Sequence, residues 1–382
     1  MEFDFQWLLI GLPVAFALGW LASRFDLRQW RRSDRDSPKA YFKGLNLLLN
    51  EQQDKAIDAF IEAVQNDPDT TELHFALGNL FRRRGEFERA VRVHQHLLQR
   101  GDLNSSERER AQHALAQDYM KAGLFDRAEE AFRALEGTPF HTEARLARLG
   151  LYERSRDWPA AAEVAALLEQ SGTGSFAQRI AHYHCELALA ADDRGDTAAA
   201  DQALQRARQI APQAARPLIL LAQRHLKAGR AQEALATWAE LRERQPESFA
   251  LVAGDYAACA LALNQADLAR STLGALVKQR PGIDLLRALA LLNGQSAGAS
   301  DGVRDWLRQQ PTLSAALEVL DADNDKLQGP ELKAVREAVA RAARPLQRYR
   351  CAACGFEAQR YFWQCPGCLN WDSYPPVRVE EA

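Results

Sequence analysis

The chain is sparing with sulfur, holding six cysteines and two methionines in 382 residues. Two of the cysteines, Cys185 and Cys259, stand alone in helix-forming segments and read as small buried core residues. Strong charge of either sign is also missing. A formal net charge of −3 gives no electrostatic reason to expect nucleic acid as the main partner. No Gly-rich phosphate loop, nucleophile elbow or metalloprotease helix motif occurs. The histidines are scattered at helical spacing, and His94 and His96 read as structural or surface residues rather than ligands. With no catalytic constellation, the chain reads as a non-enzyme. Strand-like alternation of β-branched residues is absent too, and runs rich in Ala, Leu, Glu, Arg and Gln predict almost continuous helix from Pro38 to Arg344.

Long apolar runs are missing except for one. Trp7 to Ala22 is uncharged and mostly apolar, and 16 helical residues rise roughly 24 Å. Adding Phe3 and Phe5 brings the span near the roughly 30 Å hydrocarbon thickness of a bilayer. Glu2 and Asp4 precede the run, whereas Arg24, Arg28, Arg31, Arg32 and Arg35 follow it. A secretory signal carries its basic residues before the apolar run, so the reversed order favours an uncleaved anchor. Positive charge collects on the cytoplasmic side, which predicts a single-pass helix with a periplasmic N-terminus and a cytoplasmic body.

The body repeats itself. Gly44 to Gly78 is 34 residues, and so is Ala56 to Ala90. In the first unit Gly44 is followed by Ala56, Phe60, Ala63 and Pro68; in the second, Leu77-Gly78 is followed by Phe81, Ala90 and Leu97. This is the tetratricopeptide pattern, small residues where paired helices approach and large ones wedged between pairs. A third unit has Leu115, Ala116, Tyr119, Ala128 and Phe132, and a weaker fourth has Tyr152, Ala161 and Leu168. A fifth runs Leu187-Ala188, Ala200, Leu204, Ala207 and Pro212, and a sixth Leu221-Ala222, Ala234, Trp238, Leu241 and Pro246. The seventh shows Ala257, Ala269, Leu273, Leu276 and Pro281. Turns at Gly85, Gly123, Gly195 and Gly229 separate the helices of each pair. Beyond Pro281 the spacing loosens into a degenerate pair, Leu285–Asn293 and Val303–Gln310, and closing helices at Leu313–Leu320 and Glu331–Ala343, with Asp321–Pro330 as a polar loop. Each unit buries its apolar face only by stacking, so the expected architecture is all-α, a superhelix with a concave groove. In that frame Asn79, Arg82, Arg83, Gln117 and Met120 face the groove, where the arginines suit an acidic or carboxylate-bearing peptide.

The chain closes on Cys351-Ala-Ala-Cys354, ten residues, then Cys365-Pro-Gly-Cys368. Two C-x-x-C knuckles this close form a tetrathiolate site, in which one metal folds a segment too short for its own core. The alternatives are redox dithiols or disulfides. A thioredoxin-type motif comes singly on a βα unit, which is not evident here, and a reducing cytosol disfavours disulfides. Thiolate softness and tetrahedral geometry suit iron and zinc alike.

The order of the three modules, an anchor with an Arg-rich exit, tetratricopeptide repeats, then Cys351-Ala-Ala-Cys354-Gly355-Phe356 and Trp363-Gln364-Cys365-Pro366-Gly367-Cys368, resembles the lipopolysaccharide assembly protein B (LapB) family over the whole chain. The resemblance implies a rubredoxin-type metal-binding domain with Cys351, Cys354, Cys365 and Cys368 as ligands. It also implies an inner-membrane adaptor of Gram-negative bacteria that restrains lipopolysaccharide synthesis by helping the membrane protease FtsH degrade the deacetylase LpxC. Other lipopolysaccharide synthesis and transport proteins are implied as partners.

The expected layout is therefore an anchor at 1–23, a basic linker at 24–37, about seven repeats at 38–282, degenerate and closing helices at 283–345, a metal ribbon at 346–376 and an acidic tail at 377–382. The membrane helix and the exposed ends of the array could each support a homodimer. Two competing functions fit parts of the sequence: a rubredoxin-type electron carrier, and a general receptor for C-terminal peptides. Seven interaction repeats and the lack of a flavin or nicotinamide site weigh against the carrier.

Overall fold

The computed structural model describes residues 14–20, 42–322 and 330–382 of the chain. Most of the expected anchor at 1–23, the whole basic linker at 24–37 and positions 323–329 of the expected loop lie outside the described residues. Residues 14–20 are helical (α1), with Val14, Phe16, Leu18 and Trp20 exposed. Among the described residues no helix is long and apolar enough to cross a membrane. The chain divides into two compact units, Met1–Arg156 and Asp157–Ala382.

The first unit is built from antiparallel helix pairs: residues 42–49 (α2) with Gln53–Asn66 (α3), Thr71–Arg83 (α4) with Phe87–Gln99 (α5), and Ser105–Lys121 (α6) with Phe125–Arg133 (α7), followed by His141–Ser155 (α8). One spacing explains the pairing. A small residue on the first helix faces a large one 16 positions later on the second: Gly44 with Phe60, Gly78 with His94, Ala116 with Phe132, all of them buried. The approach is close enough to demand glycine twice. A Cβ on Gly44 would come within 2.8 Å of the Phe60 ring, and one on Gly78 within 2.5 Å of His94 Nε2.

The second unit continues the scheme from Trp158–Gln170 (α9), with Ala177–Asp193 (α10) and Thr197–Ile210 (α11), Ala215–Lys227 (α12) and Ala231–Arg244 (α13), then Ala253–Ala262 (α14) and Ala266–Gln279 (α15). Ala188 with Leu204, Ala222 with Trp238 and Ala257 with Leu273 keep the same 16-residue pairing, each at most 1% exposed. A 3-10 turn at Pro246–Val252 leads into α14, since Pro246 cannot donate to a continuous helix. The degenerate pair is helical as expected, Ile283–Leu292 (α16) and Asp301–Gln309 (α17), and the closing helices are Leu313–Ala322 (α18) and Pro330–Leu346 (α19). The last helix runs beyond its expected end at Ala343, with Pro345 inside its final turn.

Every described turn between paired helices holds a residue in the left-handed region: Glu51, Gly85, Gly123, Gly195, Gly229, Asn264 and Gly294, and Arg156 closes α8 the same way. In the hairpin turns the residue after the left-handed one donates its N–H back five positions, as Glu86 does to Phe81 and Gln265 to Ala260, at 2.9 and 2.8 Å. This helix stop satisfies carbonyls that the last turn would otherwise leave unpaired. Three units use Glu, Arg or Asn where glycine is conformationally cheaper, which is why turn glycines trace only part of the array in the sequence.

The chain ends in a small ribbon on the second unit. Tyr349–Arg350 (β1) and Glu357–Ala358 (β2) pair antiparallel, Tyr349 opposite Ala358, and Gln364 bridges Trp371. The acidic tail has a defined place. Val379–Glu381 forms a 3-10 turn, from which Glu381 accepts the Ile283 N–H at 2.6 Å and Glu380 accepts the N–H groups of Leu313 and Ser314. Carboxylates thus cap the N-termini of α16 and α18, where unpaired amides and the helix dipole both favour negative charge.

Candidate metal centre

Each knuckle folds by the same local rule. In the first, Gly355 donates to the Cys351 carbonyl at 2.9 Å and Cys351 donates to Phe356 at 2.9 Å. In the second, Leu369 donates to Cys365 at 2.8 Å and Cys365 to Asn370 at 2.8 Å. Gly355 and Leu369 occupy equivalent positions and both have positive φ, 77° and 59°. The two loops lie face to face. All four sulfurs lie within 4.8 Å of one another, Cys351 Sγ 3.8 Å from Cys368 Sγ and Cys354 Sγ 3.7 Å from Cys365 Sγ. A tetrahedron with metal–sulfur bonds of about 2.3 Å has edges of about 3.8 Å, so the spacing suits a tetrathiolate ion and is far too long for disulfides.

The charges make the same point. Burial would raise the Cys351 thiol, but the Ser373 hydroxyl and the amides of Cys354 and Ala353 outweigh it and hold it at about 6. Burial would also raise Cys365, and the amides of Cys368 and Gly367 with the Tyr374 hydroxyl bring it down. Cys354 goes the other way: the Phe356 amide favours its thiolate, yet desolvation and the three neighbouring sulfurs push it up to about 12. Cys368, helped by the Asn370 amide, is likewise raised by desolvation and by Cys365 and Cys351. Four thiolates cannot share this volume without a cation, and a divalent ion at their centre removes the conflict. The residues therefore fit iron or zinc. Tyr349 and Tyr374 pack with the buried Cys351 and Cys365, and Tyr361 and Phe362 complete an aromatic shell. The Tyr361 hydroxyl ties it by donating to the Tyr374 carbonyl at 3.0 Å.

The ribbon is pinned to the repeat helices of its own unit. Asp372 Oδ2 lies 2.7 Å from His182 Nε2 on α10, and the Trp371 ring stacks on His182 at 4.7 Å and 17°. Arg378 pairs with Asp284 on α16 at 3.1 Å and lies 4.4 Å from the Tyr349 ring centroid. Leu251 and Trp363 interlock across the boundary, Leu251 against the aromatic shell and Trp363 against the repeat core. Sequence reading missed these contacts. The sequence signal that points to them is the density of aromatics around the cysteines, Tyr349, Phe356, Tyr361, Phe362, Trp363 and Trp371, more apolar surface than a module this small can bury by itself.

The residues expected to line a groove in the first unit lie near one another but do different things. Arg82 is only 18% exposed in its side chain and is occupied internally, with Nη1 donating to Asp118 at 2.7 Å and Nη2 to Asn79 at 2.6 Å. Arg83 is exposed, Gln117 lies 3.3 Å from His113 Nε2, and Met120 packs against the Tyr119 and Phe132 cluster. The residue behind Arg82 was not singled out in the sequence. Asp118, fully buried, also holds Nδ1 of fully buried His94, which sits where the flanking pairs put Phe60 and Phe132. A polar residue in that slot needs a buried hydrogen-bond partner, and the next repeat supplies one for His94 Nδ1, while Nε2 is buried without one. Cys185 and Cys259 are buried among the repeat cores, as expected, and burial raises both thiols, Cys185 to about 12.

Comparison with known proteins agrees with both modules. Residues 349–375 match the family described as Rubredoxin metal binding domain, and residues 43–102 and 113–176 match Tetratricopeptide repeat. Lipopolysaccharide assembly protein B of Escherichia coli K12 is 31% identical over 97% of this chain and 98% of its own length. The protein of the same name from Haemophilus influenzae is 27% identical, over 98% of both chains. Among solved structures, a tetratricopeptide repeat protein from Parabacteroides merdae is 17% identical over 67% of this chain and 98% of that one, at a TM-score of 0.34, a likeness too loose to add to the assignment.

Proposed function

We propose, for a chain that belongs to the lipopolysaccharide assembly protein B family, that it works as a non-enzymatic adaptor in which repeats and ribbon together present one protein to another. The observation that carries this reading is the agreement in length: the curated relatives named for lipopolysaccharide assembly match repeats and ribbon as one continuous chain, over 97% of it in the Escherichia coli case. Repeat arrays supply extended binding faces, and a metal-held ribbon adds a rigid module to one of them.

In its finer form the reading places residues 1–23 in the inner membrane, 24–37 as a basic linker on the cytoplasmic side, and the repeats from 38 onward in the cytoplasm. The adaptor would bring the deacetylase LpxC to the membrane protease FtsH, limiting the material committed to lipid A. Tethering favours that role, because confinement to the bilayer raises the effective concentration of adaptor near a membrane protease. The test is depletion of the protein in its host, followed by complementation with the full chain or with a chain lacking residues 1–23. Deacetylase should accumulate on depletion, fall with the full chain and stay high with the untethered one. An unchanged deacetylase level on depletion refutes the mechanism, and full complementation by the untethered chain refutes the role of the anchor.

A further inference from the structure

One segment of the ribbon enters a pocket that the repeat helices of the second unit have built. Its walls are Trp158 from α9, His182 and Tyr183 from α10, and Arg216 from α12, with relative exposures of 8, 1, 0 and 6%. Trp371 fills it, stacked on His182 at 4.7 Å and edge-on to Tyr183 and Trp158 at 5.9 and 6.0 Å. The Arg216 guanidinium lies 5.8 Å from the Trp371 ring centroid and is anchored by Glu186 at 2.5 Å, with no hydrogen-bond partner for Nε or Nη1. Asp372 adds the polar contact, at 2.7 Å from His182 Nε2. The opposite nitrogen, His182 Nδ1, is buried without a partner, so the ring's polar contact in this pocket is made through Nε2 alone. The pocket thus offers an aromatic slot and a cationic edge for the indole, and a donor for the carboxylate that follows it.

On its other side the segment is tied to the metal knuckle. Asp372 donates its N–H to the Trp363 carbonyl at 2.9 Å, and Ser373 meets both Cys351 Sγ, at 3.2 Å, and the Ala352 N–H, at 2.7 Å. Leu369 and Asp372 both have positive φ, 59° and 50°, a conformation that a free peptide rarely holds. The ribbon's own core is small, Tyr349, Cys351, Cys365 and Tyr374 buried with Ala358, Tyr361, Phe362, Cys368 and the repeats' Leu251 partly buried against them, a size at which a bound ion supplies much of the folding energy.

We propose that this pocket is a receptor for a Trp-Asp motif, occupied by the chain's own Trp371 and Asp372 while the thiolates hold their ion and open to the same motif from another protein when they do not. The adaptor's second unit then carries a docking site whose access is set by the state of its cysteines, with exposed Cys354 and half-exposed Cys368 as the edge that a chelator or oxidant reaches first.

The test uses the full-length chain in detergent under reducing conditions, metal-loaded or stripped by a chelator, and a fluorescein-labelled peptide of residues 369–376. Fluorescence anisotropy should show the peptide binding the stripped chain at least tenfold tighter than the loaded one. A peptide carrying Trp371→Ala should lose that binding at least tenfold, as should a stripped chain carrying His182→Gln. The peptide variant leaves the protein untouched, so it separates recognition from misfolding. Hydrogen exchange at residues 177–187 is followed in parallel and should rise on stripping. Unchanged exchange would mean the turn stays docked without metal and would overturn the gating. Raised exchange without peptide binding, or binding indifferent to Trp371→Ala, would overturn the receptor.

Discussion

Replacing Asp118 by Ala removes the acid that serves two repeats at once. Its carboxylate, fully buried, accepts from Arg82 Nη1 at 2.7 Å and from His94 Nδ1. Removing one partner of a buried ion pair costs about 3–5 kcal/mol, because the remaining charge stays unpaired away from water. Arg82 keeps contacts to the Ala114 carbonyl at 3.1 Å and to Asn79, and at 18% side-chain exposure it retains some hydration. The cost therefore falls at the low end, about 3 kcal/mol, or roughly a hundredfold in a local opening equilibrium. Repeat arrays open locally, so the assay is amide hydrogen exchange across α4 to α6 rather than a single melting curve. Protection should drop about a hundredfold there and stay unchanged in the second unit. A compensating variant sharpens the test. Arg82→Met, His94→Phe and Asp118→Leu together replace the network with the apolar solution of the flanking repeats, where Phe60 and Phe132 fill the position of His94. Gly78 leaves room for that ring, as Gly44 does for Phe60. The triple variant should recover to within about 1 kcal/mol of the original chain, since apolar replacement of a buried ionic network is often neutral. A loss below about fivefold for Asp118→Ala would refute the reasoning.

Three further outcomes are expected. Gly123→Ala forces a side chain into a φ of +75° and should destabilise its hairpin by about 1 kcal/mol, whereas Arg156→Gly should be neutral or stabilising by up to about 1 kcal/mol; exchange of the flanking amides reads both. Burial is the largest influence on His74, His113 and His184 and lowers all three, so the unfolded chain binds more protons than the folded one below pH 6.5. Stability should fall as pH drops from about 7.5 towards 5.5. In a Cys365→Ser, Cys368→Ser background, which removes the proton linkage of the metal site, changing these histidines to Gln should flatten the slope of melting temperature against pH. That same double cysteine variant should lose bound metal by elemental analysis and exchange protection over residues 349–375, while far-ultraviolet circular dichroism keeps the helical signal of the repeats; retained protection in the ribbon would show that the metal is not what folds it.

The histidine network shows where sequence reading stops. The repeat frame located helix pairs because small-to-large pairing recurs at fixed spacing, but it treated His94 as a lone polar residue, since nothing at helical spacing links it to Asp118, 24 positions on. Arg82 was legible as a groove cation and not as a residue already engaged. The cluster of four cysteines that could hold a metal was legible as a set, because each knuckle is closed by hydrogen bonds between residues at most five positions apart. Its attachment was not legible: His182 meets Asp372 across 190 positions, Ile283 meets Glu381 across 98, and no periodicity carries information over such distances.

By itself, then, the sequence determined what short-range physics can dictate: helices from apolar periodicity, hairpins from small residues facing large ones, helix stops from glycine, and a thiolate quartet from two tight turns. Tertiary structure decided which polar groups are spent and which stay available. It consumed Arg82 on Asp118, turned the acidic tail into caps for α16 and α18, and set Trp371 against His182. The reason is that burying a polar group requires a partner, and the partner is chosen by proximity in space among residues far apart in the chain.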